Sequence, residues 1–192
     1  MSYANMNSDG TFSFKGKLPK SYKNISGFDN LPVEKLKEFD WYVVEETSPV
    51  NKDWEEYVKS YELQDDDIIR PVYTYNNISL EDYKTKRNDV IKQAFANTLI
   101  SGCEISAGYK VDCKPDDLAN WTTNYNHLTL SDATTTIIRD YDNVVRELSI
   151  EEYKVMVVEI GDYIKSLMSN KWTKQAMIEN ATTFEEVENV NW

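Results

Sequence analysis

The sequence predicts an α+β protein, with an extended β-rich N-terminal region and a C-terminal module of short antiparallel hairpins packed with two long helices. Three observations carry this. Apolar residues keep helical spacing over long stretches only after Ser79 and after Ser149. Short β-branched and aromatic runs flank turn signals at Ala107-Gly108 and Asp140-Tyr141-Asp142-Asn143. Before residue 79, runs rich in aromatic and β-branched residues dominate. The 192 residues suit one domain or two small ones.

Taken in order, residues 1–30 are polar and aromatic, with a turn signal at Asp9-Gly10 and a short alternating run, Thr11 to Lys15. They lack helical periodicity and make no core alone, so they read as an extended arm. Tyr3, Phe12, Phe14, Tyr22 and Phe28 are its candidate partner-binding residues, because aromatics along an extended chain can fill separate pockets on another protein. Lys15, Lys17, Lys20 and Lys23 give the arm local positive charge, suited to an acidic neighbour, another copy included.

Residues 31–78 read as a β-rich docking region. Val33, Leu36 and Phe39 follow Pro32 at helical spacing, predicting one or two turns. Trp41 to Glu45, Tyr57 to Leu63 and Ile68 to Tyr75 read as strands, the last two around Asp65-Asp66-Asp67. Pro71 predicts an edge strand or a bulge, since it cannot donate to a ladder.

Residues 79–192 read as the α+β domain. Ser79 opens a helix whose apolar face is Leu80, Tyr83, Val90, Ile91, Ala94 and Phe95, ending near Leu99. A hairpin follows across Cys103–Asp112, then a polar stretch, 114–132, with a helix candidate at Asp116–Asn126. Thr134–Arg139 and Val144–Leu148 form a second hairpin. Ser149 with Glu152 forms a capping box for the longest helix, expected to reach Ile178. Gly161 within it costs about 1 kcal/mol against Ala and hints at a close packing contact. Thr183 with Glu186 caps a last short helix, expected to end at Val190-Asn191-Trp192.

Net charge is −12 and pI near 4.6, which sets the chain against phosphate backbones and anionic lipids. No apolar run reaches membrane-spanning length and no basic-then-apolar start resembles a signal peptide. Chemistry has little to work with. His127 is the only histidine, and no nucleophile-elbow sequence accompanies it. Cys103 and Cys113 with one His fall short of a zinc tetrad and read as small packing residues. The Asp65–Asp67 and Asp140–Asn143 clusters lack calcium-loop spacing and sit where turns are expected. With six glycines there is no phosphate loop, so no cofactor and no catalytic residue is expected.

The run Asp140-Tyr141-Asp142-Asn143-Val144, then Leu148 to Tyr153, resembles an uncharacterised domain found near the C-terminus of many bacteriophage tail and tail-fibre proteins. The ending Ala181-Thr182-Thr183-Phe184-Glu185-Glu186-Val187 with Trp192, and the helix from Leu80, are similar to it too. The resemblance covers about residues 80–192 and brings no catalytic residues. It implies a structural or adaptor role in the virion tail, made in the host cytoplasm, with other tail proteins as partners. Homo-oligomers are open to it. A tail-fibre assembly chaperone and, from another class, a cell-surface glycan hydrolase are the competing expectations.

Overall fold

The computed structural model describes all 192 residues, in two compact units, Met1–Ile78 and Ser79–Trp192.

The N-terminal unit is a five-stranded sheet in the order β2-β1-β5-β7-β6. Its strands are β1 (Ser2–Met6), β2 (Phe12–Lys15), β5 (Trp41–Val44), β6 (Glu55–Leu63) and β7 (Ile68–Asn77). Neighbours run antiparallel except β5 and β7, which are parallel. Two-residue strands β3 (Ser21–Tyr22) and β4 (Ile25–Ser26) pair apart from it, and a single turn, α1 (Val33–Leu36), precedes β5. Both faces of the sheet carry apolar side chains at β5. Ala4, Tyr42, Val44 and Ile69 make one buried cluster, joined by Phe12, Tyr61 and Leu63. Trp41 points the other way, into Phe28 and Leu36. On the first face the sheet curls until its two edge strands touch. Phe14 on β2 and Tyr61 on β6 lie 4.3 Å apart, ring centre to ring centre.

Two expectations fail here. Residues 1–30 are not an arm awaiting a partner. β1 pairs with β2 on one side and β5 on the other, Ala4 and Phe28 are fully buried, and the arm and docking region are one sheet. An extended aromatic segment satisfies its backbone on any available strand, and here the strand belongs to its own chain. β7 as a whole is also not an edge strand, since β5 and β6 flank it, but at Pro71 it is locally an edge. The parallel pairing stops at Val44 opposite Ile69, and Ile69 turns its carbonyl towards the β5 side, accepting from the Glu45 N–H. Two residues on, Pro71 faces that same side beyond the end of β5, where no ladder donor is needed.

The segment 45–51 is tied to the long β6–β7 hairpin by tyrosines. The Tyr61 hydroxyl and Lys59 ammonium both donate to Glu46, at 2.6 Å each. Tyr73 donates to the Thr47 carbonyl, and the Val50 N–H donates to the Tyr75 hydroxyl. The Lys59 bond, then that from Tyr61, holds the Glu46 carboxyl below its ordinary range.

The C-terminal unit contains α2 (Leu80–Ile100), β8 (Cys103–Glu104), β9 (Lys110–Val111), α3 (Pro115–Leu130), β10 (Thr135–Arg139), β11 (Val145–Ser149), α4 (Ile150–Asn180) and α5 (Phe184–Glu188). α4 has 31 residues, about 46 Å at 1.5 Å per residue. Its capping box is formed: the Ser149 hydroxyl accepts from the Glu152 N–H, and Glu152 accepts from the Ser149 N–H at 2.8 Å. Tyr153, Met156, Ile160 and Ile164 are buried along one stripe. α3 spans most of the polar stretch. Leu118, Trp121, Tyr125 and Leu128 supply about one core residue per turn among polar neighbours, and Tyr153 donates to the Trp121 carbonyl. α2 packs along α4, though its Val90 is half exposed. The chain end lies on α2: Arg87 donates to the carbonyls of Glu188 and Val190, and Trp192 Nε1 to Thr98 at 2.9 Å. Gly161 makes no close contact; a Cβ there would meet nothing within 4 Å. The close approach is at Gly102 instead, with φ +77° and the Tyr141 ring 2.8 Å from where a Cβ would sit.

Candidate interaction surfaces

The five aromatics singled out from the sequence do not form one surface. Phe28 is fully buried, ringed by Tyr22, Phe39 and Trp41 with ring centres 5.0–5.8 Å away. Tyr3 and Tyr22 pack on the same cluster, and Phe12 packs on the other face. Phe14 alone is well exposed, at 45%, and it leans on Tyr61. These side chains hold the N-terminal unit together. Periodicity could not reveal this, because the partners Trp41 and Tyr61 lie far along the chain.

The residues with chemical potential are also placed structurally. His127 is exposed in the last turn of α3. Cys103 and Cys113 are buried free thiols. Cys113 Sγ donates to the Leu99 carbonyl at 3.2 Å, and burial pushes its thiol up to about 11. In the acidic turn, Asp66 pairs with Arg70, and Asp67 pairs with Lys37. No group of three or more His, Cys, Asp or Glu side chains is placed to hold a metal ion.

Asp140 organises the turn between β10 and β11. It is buried, and its carboxylate accepts from the N–H groups of Asp142 and Val144 and from Arg146 Nε at 2.6 Å. Asn143 takes the left-handed conformation that closes the turn. Burial pushes the Asp140 carboxyl up, but the bonds from Val144, Arg146 and Asp142 outweigh it and leave it below the ordinary range. Arg146 then lies 3.9 Å above the Tyr109 ring, joining the second hairpin to the first.

Beside that junction a groove of about 390 Å³ opens between the β8–β9 turn and the first turns of α4. Ile105, Tyr109, Leu148, Val155 and Met156 form its apolar floor, and Glu151, Glu152 and Glu159 its rim. Spacings of four and seven to eight residues put these α4 side chains on one helix face. Two rim carboxylates are held in place. Glu159 accepts from the Ser106 N–H at 3.0 Å, and Glu152 is committed to the capping box. The Ser149 hydroxyl and then its N–H hold the Glu152 carboxyl below its ordinary range, the reverse of what a general acid needs. Glu151 is the exposed one, its side chain 84% open to water and only loosely paired with Lys154 at 4.0 Å. The groove suits an apolar surface carrying positive charge. Sequence reasoning missed it because the floor comes from three separated segments.

Further apolar side chains stand open around the C-terminal unit. Ile137 is 69% exposed, Val145 58% and Trp172 59%. No curated protein and no solved structure matches the chain. One family model matches residues 80–191, which is more than half of the chain and nearly the whole C-terminal unit. The chain therefore belongs to the DUF4376 family, a domain of unknown function.

Proposed function

We propose that this protein is a structural or adaptor component of a bacteriophage tail and acts through protein–protein contacts. The observation that carries the reading is the division of labour in the C-terminal unit. Its polar groups with chemical potential serve caps, turns and packing, while Ile137, Val145, Val158, Trp172 and Met177 remain half or more exposed. Large apolar and aromatic side chains left open to water suit a surface that a partner covers. The resemblance of the Asp140–Val144 turn, the Leu148–Tyr153 helix start and the Ala181–Trp192 ending to phage tail domains supplies the setting. The family itself carries no assigned activity.

Purified particles test this. Protein identification on gradient-purified virions and detached tails should find the chain in both at constant stoichiometry. Its absence from particles that nevertheless require it for assembly would make it an assembly factor. Release of sugar from host surface glycan by the purified chain would overturn the non-enzymatic reading.

A further inference from the structure

The N-terminal unit carries a basic segment in an otherwise acidic chain. Residues 1–30 hold four lysines against Asp9 and Asp29, while the whole chain has net charge −12. Lys15, Lys17, Lys20 and Lys23 all lie within nine residues and are exposed. Elsewhere in the unit Lys35, Lys37, Lys59 and Arg70 each hold a carboxylate, but these four lysines form no ion pair. They are not on a loose segment. The Lys20 carbonyl accepts from both Gly27 and Phe28, at 2.9 and 3.1 Å, and β3 pairs with β4 above the fully buried Phe28 ring. The backbone that carries the lysines is thus held in place.

The C-terminal unit carries the complementary feature. The groove between the β8–β9 turn and α4 has an apolar floor, with Val155 50% exposed, and three carboxylates on its rim. Two of those carboxylates are fixed by backbone donors, so little ordering is lost when a cation meets them.

We propose that copies of this chain associate head to tail, the lysine segment of one seated on the carboxylate-rimmed groove of the next. Each copy presents both surfaces, so the contact joins unlike surfaces and is completed in a reciprocal pair, a ring or an extending chain. Opposite charges bring the surfaces together and set the orientation, and covering Val155 and the groove floor supplies apolar burial. The contact is between copies and stands independently of the tail reading.

The experiment is sedimentation velocity on the full-length protein across concentration and salt, with two charge-reversal variants. Wild type should associate at about 20–50 mM salt and dissociate towards about 500 mM, as the screening length contracts below the span of the contact. Lys17→Glu with Lys20→Glu, and separately Glu151→Lys, should each weaken association by about tenfold or more, since repulsion replaces attraction. All three residues are exposed, so near-ultraviolet circular dichroism should be unchanged. Mixing the two variants is the decisive arm. One retains its groove and the other its lysines, so the mixture should associate although neither variant does so alone. A wild type that stays monomeric at low salt overturns the proposal. So does association indifferent to salt and to these charges, or a mixture that does not associate.

Discussion

The two units solve the same problem with opposite kinds of contact. In the N-terminal unit the hairpins are local, but what joins them into one sheet and core is longer in sequence: Asn5 pairs with Trp41, Phe14 meets Tyr61, and Trp41 packs on Phe28. In the C-terminal unit the elements are set largely by near neighbours, through the Ser149–Glu152 and Thr183–Glu186 boxes and the stripe Tyr153, Met156, Ile160, Ile164. Neighbouring residues that agree about local structure make a segment independent of its surroundings. Residues that agree only with distant partners make the unit depend on every strand being present.

That comparison can be broken at its strongest point first. Deleting residues 2–30 removes β1 and β2, leaving β5 without its antiparallel neighbour, and removes Phe28, so the N-terminal unit should lose its cooperative unfolding transition altogether. Calorimetry of the deleted chain would show only the transition of the C-terminal unit. Survival of both transitions would restore the segment to a detachable arm. Next, Phe28→Ala should cost about 3–5 kcal/mol, as expected for a large aromatic lost from a closed core. Urea unfolding monitored by tryptophan fluorescence reads it directly.

Ile160→Ala should cost about 2–5 kcal/mol, because Ile160 is fully buried on the α4 stripe. Val158→Ala, two residues away and half exposed, should change stability by less than about 0.5 kcal/mol. Equal effects at the two positions would mean that the stripe does not define the core. Ser149→Ala removes the hydroxyl of the capping box and should cost about 1 kcal/mol.

The smallest effect is one of pH dependence. Asp140 is held below the ordinary carboxyl range, so its contribution is fully present above its unfolded value of about 3.9. It fades as pH falls through the lower folded value. The stability gap between wild type and Asp140→Asn should therefore be constant above about pH 5 and narrow below about pH 4. Denaturant midpoints measured from neutral to acid pH give that curve, and a gap that widens in acid would reverse the assignment.

Legibility followed the same division. α2 and α4 were readable to within about two residues, and α5 at its start, because caps and apolar spacing are written within a few positions; α5 ends at Glu188, short of the expected 190–192. The β10–β11 hairpin was readable because Asp140 and Asn143 announce its turn. α3 was half hidden: Leu118, Trp121, Tyr125 and Leu128 are too sparse among Asn and Thr to dominate the pattern. β2, β5, β6 and β7 were visible as strands, but β1 and the short β3–β4 pair were not, and neither was the strand order. Nothing near Ser2–Met6 states that its second partner is Trp41–Val44, and nothing near Pro71 states that β5 ends just short of it. The groove was illegible for the same reason, being the meeting of the 105–109 turn, Leu148 and one face of α4.

The placement of β1 in the sheet has a consequence in time. Ser2–Met6 leaves the ribosome before the other strands of its sheet, and β2 follows within a few residues to pair with one side of it. Its other side waits for Trp41–Val44. At roughly 5–20 residues per second, that wait lasts about 2–7 s. Throughout it, a nascent two-stranded ribbon bearing Tyr3, Phe12 and Phe14 has one open hydrogen-bonding edge, the kind of template that joins strands from other chains. Slow translation between codons 15 and 41 would lengthen the exposure, so the yield of folded protein depends on the speed of synthesis as well as on the final packing.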